Sequence, residues 1–493
     1  MPELLPINAQ TISSLKARLD VPGYDRTRIK TGIAHIGIGG FHRAHQAAYM
    51  DALFEKGAAL DWGICAIALL PQDEAVYRNL VAQDGFYTLM HKDLDGQVTA
   101  RIIGSIIEVL WAPDAPLLTI EKLAHPDIRI ITLTITEGGY NVSPEGDFNW
   151  DNEAVLWDLQ HPNTPKTVFG FLYSALKLRY ARGVKGLSLQ SCDNMEHNGR
   201  VLERMLKAFI QKVDPGMLEW LDTQCSFPNS MVDRITPVRS AEHQAQLQQA
   251  FGVKDAWPIF SETFKQWIVE EQFVQGRPDW EKVCVQMVEN VAPYEKMKIR
   301  LLNGGHSLVG LLGRLRGYTF IHEAMQDPII KALLGCYMEK EVSPLLDTLP
   351  GVDLEQYRNQ IIMRFSNPFI QDHVDRIISG SSDKIPKYIL PSIQEWRNMN
   401  KPAGIGALIV AAWFKYLTIA LSEGNVPQDV QAAALMENVA RAVEAQNPRI
   451  FLRLSTVFGL LSQDKGFEQS FLFYLDGLNQ ANFNAWCQQE LIA

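Results

Sequence analysis

Four short apolar runs, spaced by helical patterns, fix the class of the first two hundred residues. "GIAHIGI" (32–38), "WGICAIALL" (62–70), "IRIITLTIT" (128–136) and "VKGLSLQS" (184–191) are nearly continuous in apolar and β-branched residues. A strand with no polar alternation has both faces buried, as in a parallel sheet covered by helices. Helix-patterned segments intervene, the first from about Phe41 to Lys56, and a hairpin is expected around "DLDGQ". The reading is an α/β domain of the doubly wound class. From about residue 290 β-branched runs become scarce and apolar residues recur at helical spacing, as in "AGIGALIVAAWFKYLTIALS". Two domains are expected, an α/β domain over 1–290 and a mostly α-helical one over 291–493, with Pro293 at the first helix's start.

With 47% hydrophobic and 21% charged residues in 493, the chain has ample core-forming material. Its net charge of -10 would repel a phosphate backbone, which argues against nucleic acid as a partner. The six cysteines (Cys65, Cys192, Cys225, Cys284, Cys336 and Cys487) never pair at C-x-x-C spacing, so neither a zinc ribbon nor a redox motif is indicated. The start "MPELLPINAQ" lacks the basic and apolar regions of a signal peptide. The most apolar later stretch is broken by Lys415 and falls short of a clean span of about 20 residues. A cytoplasmic monomer with no membrane partner is expected.

At the first strand's end, "HIGIGGFHRAH" places Gly37 and Gly39 at the spacing of a dinucleotide-binding turn. Gly37 would permit the tight turn, and Gly39 would let the backbone approach a pyrophosphate. The third position of a full G-x-G-x-x-G is His42, so spacing alone leaves a nucleotide site and an ordinary turn equally open. Ile36, Gly37, Ile38, Gly39, Gly40, Phe41 and Arg43 are the candidate cofactor residues of this loop. Asp73, just past the second strand, is suited to a ribose hydroxyl and would disfavour the extra phosphate of NADP; alternatively it only caps the helix in "PQDEAV". "TITEGGY" adds Thr136 and Glu137 at a third strand end, and "SCDN" adds Asn194 at a fourth. Polar residues at neighbouring carboxyl ends favour a ligand crevice.

The segment "PYEKMKIRLLNGGHS" suggests chemistry. On a continuous α-helix Lys298, Asn303, His306 and Glu295 fall at about 0°, 140°, 80° and 60°, opposite Met297, Leu301 and Leu308. The competing reading is a solvated helix face. Gly304 and Gly305 cost such a helix about 1 kcal/mol each, which suggests close approach of a backbone or ligand. A lysine can serve as general base for a secondary alcohol, and amide side chains can hold the oxyanion.

"GIGGFHRAH", "TITEGGY", "SCDNMEHNG", "FPNSMVDRITP", "FVQGRPDWEKV" and "YEKMKIRLLNGGHS" together resemble the polyol-specific long-chain dehydrogenases, the mannitol 2-dehydrogenase family. The similarity runs from about residue 30 to near 388. It implies an NAD-dependent, metal-independent oxidoreductase with an N-terminal Rossmann-type domain and a helical C-terminal domain, interconverting a polyol and its ketose, D-mannitol and D-fructose first among them. By the same resemblance Lys298 is the general base, and Asn194 and Asn303 stabilise the alkoxide-like oxygen. His306 orients hydroxyls, Asp233 and Arg376 contact substrate, and Glu295 relays the proton. Where some members carry two adjacent acids this chain has neutral Gln72 beside Asp73, so NAD is expected with incomplete exclusion of NADP. Reduction of a keto-uronate is the nearest rival, since Arg376 suits a carboxylate as well. A silent NAD-binding sensor would have no need of the lysine, and a metal-dependent alcohol dehydrogenase would need a Cys/His cluster that the chain lacks.

Overall fold

The protein is described by a computed structural model covering residues 4–92, 96–143 and 146–491. It separates into two compact units, Met1–Ala292 and Pro293–Ala493.

The first unit is built on five parallel strands, β1 (Thr31–Ile36), β2 (Gly63–Ala68), β3 (Ile106–Trp111), β4 (Ile130–Leu133) and β5 (Ser188–Ser191). Their order is β3-β2-β1-β4-β5. Both faces are buried, which is why the runs lack polar alternation. Ala34, Ile36, Ile67, Ile131, Leu133 and Leu189 pack against helices Pro116–Ala124, Val168–Ala181 and Asn198–Val213. Ile33, Ile64, Ala66 and Ile130 face the other way, onto the helix Gln46–Glu55. The order reverses at β1, between β2 and β4, so the crevice of a Rossmann-type sheet opens at the ends of β1 and β4. β3, unread in the sequence, is one of the two edge strands. The expected hairpin has arms Tyr87–Lys92 and Val98–Ile103 in antiparallel register; residues 93–95 of its tip lie outside the described residues. The first arm also pairs with Ile259–Ser261, and a further small sheet joins Ser230–Asp233, Gln266–Glu270 and Gln286–Val288.

The second unit is helical. Its central helix, Gly404–Ser422, is long and apolar enough to cross a membrane by length and composition, but 67% of that stretch is buried inside the protein. Lys415 turns its ammonium to the carbonyl of Leu478, the last residue of helix Lys465–Leu478, where a helix dipole favours a cation. At the start of the central helix the buried Glu341 carboxyl accepts from the amides of Ile405 and Gly406. Burial outweighs those bonds and pushes its pKa up to about 7. The folded protein therefore holds a proton that an unfolded chain releases near pH ~4.3. This contribution to stability is full below the unfolded pKa and is lost as pH rises through about 7. Glu341→Gln, which keeps an uncharged acceptor, is expected to flatten the fall of Tm between about pH 5 and about pH 8. Calorimetry giving equal slopes for variant and wild type would refute it.

Candidate active site

In the first unit β1 runs into the helix Gly40–Ala44 through a turn only glycine can make. Gly37 has φ +105, and a Cβ added there would stand 2.2 Å from the Thr134 carbonyl oxygen, past the end of β4. A Cβ on Gly39 would meet nothing within 4 Å, so that side of the loop is open to a ligand. Ile36 and Ile38 are buried in the core, and a Cβ added at Gly40 would make only ordinary contact with Thr236 and Ile259. Phe41 stacks on His45 with ring centroids 5.0 Å apart. Arg43 is buried and donates to the carbonyls of Ile38 (3.1 Å) and Trp257 (3.0 Å); it braces the loop from behind.

His42 has a physical role in place of the third glycine. Its ring stacks on His35 of β1, 3.4 Å between centroids and 11° between planes. His35 is itself pinned by Thr132 and Thr134, whose hydroxyls lie 2.7 and 2.9 Å from Nδ1 and Nε2. Burial lowers the pKa of His35 to about 3 and that of His42 well below the usual imidazole value. Both rings are therefore neutral and stack without repulsion. Where a third glycine allows direct helix–strand contact, an imidazole pair fills the gap here.

The neighbouring strand ends are tied together by Asp193, which the sequence reading passed over for Asn194. Its buried carboxylate accepts from the amides of Ile135 (3.0 Å) and Thr136 (2.9 Å) and from the Tyr140 hydroxyl (2.7 Å). These bonds hold Thr136, at φ +61, and Glu137 in the turn after β4. Asn194 follows and is exposed. Asp233 is buried at the end of strand Ser230–Asp233. Asp73 lies in the turn Pro71–Asp73 after β2 and is half-buried, which raises its pKa. It occupies the N-cap position of helix Glu74–Ala82 but makes no side-chain cap bond, so capping does not account for its carboxylate.

In the second unit the lysine segment is not one continuous α-helix. The helix Ala292–Lys298 passes into a π-turn, Ile299–Asn303, before the α-helix Gly304–Leu315. A π-turn takes in one extra residue, so all that follows is set back by about 100°. His306 moves from about 80° to about -20° relative to Lys298. Asn303, inside the turn, moves part of the way toward the lysine. The turn thus gathers the three candidates more tightly than the sequence-based wheel predicts.

Lys298, Glu295 and Asn303 are all buried. His306 stacks on Phe365, 3.9 Å between centroids, and its Nε2 has no hydrogen-bond partner among the described residues. Burial, then the charges of Arg376, Arg364, Lys384 and Lys298, hold its pKa far below the usual value. The imidazole is neutral and able to share a hydrogen bond with a hydroxyl. Arg376 pairs with Asp372, Nε to Oδ1 2.7 Å. Arg364 and Lys384 complete this cation shell and were not singled out in the sequence. Among the described residues no group of three His, Cys, Asp or Glu side chains could hold a metal ion.

Comparison with known proteins agrees with both units. The model of the mannitol dehydrogenase Rossmann domain matches residues 31–282, and that of the mannitol dehydrogenase C-terminal domain matches residues 290–478. The chain is 41% identical over 496 residues to the mannitol 2-dehydrogenase of Phaeosphaeria nodorum, covering 99% of this chain and 86% of that one. A solved Pseudomonas fluorescens mannitol 2-dehydrogenase, in ternary complex with NAD and D-mannitol, is 40% identical with a TM-score of 0.87 over 99% of both chains. A D-sorbitol dehydrogenase in substrate-free form is 34% identical with a TM-score of 0.87, over 97% of this chain and 99% of that one. With family models covering most of both units and relatives near 40% identity over nearly its whole length, this chain belongs to the mannitol dehydrogenase family.

Proposed function

We propose that the protein is an NAD-dependent, metal-independent polyol dehydrogenase that interconverts D-mannitol and D-fructose with Lys298 as general base. The observation that carries the reading is the π-turn, which brings Lys298, Asn303 and the neutral His306 to one side of a buried helix. The names of its relatives and the NAD and D-mannitol of the solved Pseudomonas complex support the same reaction.

The loop fits the cofactor: Gly39 offers an open cradle that a Cβ would partly fill, and Asp73 has a carboxylate free of capping duty. Gly37 to Gly40 would hold the pyrophosphate, with Thr136 and Glu137 beside them and Asp73 at the ribose. NAD, when bound, supplies the acceptor for the hydride of the carbinol carbon. Lys298 accepts the hydroxyl proton, and the buried Glu295, one helical turn before it, passes that proton on. The Asn303 amide donates to the oxygen as charge develops, a role also assigned to Asn194. His306 Nε2 shares a hydrogen bond with a neighbouring hydroxyl, and Arg376 and Asp233 hold others.

One rival has an observation in its favour. The four cations facing His306 would suit the carboxylate of a keto-uronate. NADH absorbance is the test, followed with mannitol, sorbitol and arabinitol in NAD or NADP, with fructose, fructuronate and tagaturonate in NADH or NADPH, and in each case with and without a strong chelator. Mannitol with NAD and fructose with NADH are expected to give the highest kcat/KM, unaffected by the chelator. Preference for a uronate over every neutral sugar would overturn the substrate, and chelator-sensitive activity would overturn metal independence.

A further inference from the structure

Tyr337 lies outside the candidate site yet touches the turn that shapes it. In a continuous α-helix the amide of Gly304 would bond the carbonyl of Arg300. Here that amide goes instead to the carbonyls of Ile299 and Leu301. The Arg300 carbonyl accepts from the Tyr337 hydroxyl at 3.2 Å. Tyr337 is 1% exposed, so this bond is made away from water, where an unsatisfied carbonyl is costly. The ring reaches the turn because residue 304 is glycine: a Cβ there would stand 2.4 Å from the Tyr337 hydroxyl oxygen. Gly304 therefore marks a close side-chain approach.

Tyr337 is held firmly in turn. It opens a second π-turn, Tyr337–Val342, on the neighbouring helix that begins at Pro328. That turn also carries Glu341, anchored to the start of the central helix. Two π-turns thus face each other, joined by one hydroxyl.

We propose that Tyr337 is a positioning residue: its hydroxyl takes the place of the Gly304 amide on the Arg300 carbonyl and so holds open the π-turn that aligns Asn303 and His306 with Lys298. Without that donor the Arg300 carbonyl is left to recapture the Gly304 amide, which winds the segment back toward an α-helix and turns His306 away by about 100°. The inference rests on the reading of Lys298 as the base.

The test is Tyr337→Phe, which keeps the ring and removes only the hydroxyl. The single-turnover rate of NADH formation from mannitol is expected to fall about tenfold or more, since small misplacements at the reacting centre have effects of this size. KM for NAD is expected to stay within about twofold, because the loop that holds it is untouched. A second variant separates positioning from packing. Gly304→Ala is expected to lose Tm and rate together; adding Tyr337→Phe removes the obstructing oxygen and is expected to restore Tm but not rate. A wild-type single-turnover rate in folded Tyr337→Phe, or recovery of rate along with Tm in the double variant, would overturn the proposal. Lys298→Ala keeps the two readings apart. If it retains turnover, the base assignment fails. If it is inactive while Tyr337→Phe is unimpaired, only the positioning role fails.

Discussion

Lys298→Ala is expected to lower kcat for mannitol oxidation by about 10²- to 10⁴-fold, the range spanned by positioned general bases. KM for NAD is expected to change little, because the glycine loop belongs to the other folded unit. The pH dependence carries the sharper information. Oxidation needs an unprotonated acceptor for the hydroxyl proton, so the wild-type rate should rise with pH until the base is free. Of the other titratable side chains on this helix face, His306 is held neutral by burial and the surrounding cations far below its ordinary pKa. It contributes no ionisation in the working range, and a rise there belongs to another group. In Lys298→Ala that rise should give way to a dependence on hydroxide that shows no plateau. Small primary amines added to the assay should restore part of the rate. Near-normal turnover of the variant across the pH range would remove Lys298 as the base.

Much of the first unit was legible because its strands are buried on both faces. Runs such as Ile64 to Ala68 carry their assignment in composition alone. β3 escaped for the opposite reason. At one edge of the sheet, it contains partly exposed positions and Glu108, and its apolar residues follow directly on a hairpin. The loop was legible as spacing but not as packing. His42 looks like a defect until His35, seven residues earlier, is seen beneath it. Nothing in a one-dimensional fingerprint links those positions.

The lysine segment shows a different limit. Lys298, Asn303 and His306 were recognisable from the motif, but their mutual angle was not. A helical wheel assumes 3.6 residues per turn throughout, and the π-turn breaks that assumption between Lys298 and Gly304. The glycine pair was the only local hint, and its partners, Tyr337 and Leu334, lie some thirty residues away. Asp193, Arg364 and Lys384 were missed because each acts through neighbours distant in sequence.

Gly37→Ala and Gly39→Ala should have opposite consequences, although the two residues sit two apart in one loop. At Gly37 the backbone is in a region that L side chains rarely adopt, and the added Cβ meets the Thr134 carbonyl oxygen at 2.2 Å. The conformational strain costs about 1–3 kcal/mol, and the overpacking about 1–3 kcal/mol more. The obstacle is main chain and cannot swing aside. Thr134 also carries the hydroxyl that pins His35, so a shift there disturbs the imidazole stack beneath the loop. Gly37→Ala is therefore expected to lower Tm by several degrees and to weaken NADH binding at least about tenfold, equivalent to roughly 1.4 kcal/mol. At Gly39 the backbone is extended, with φ -65 and ψ 173, and the new Cβ enters open space. Its Tm should stay within about a degree of wild type, since a surface change free of such features costs little. NADH should nevertheless bind more weakly, because the methyl group would occupy the side of the loop assigned to the pyrophosphate. Thermal unfolding and fluorescence titration with NADH measure both quantities. An unchanged Kd in Gly39→Ala would mean that the open side of the loop is not the cofactor's cradle. Unchanged Tm and Kd in Gly37→Ala would mean that the turn tolerates a side chain its geometry excludes.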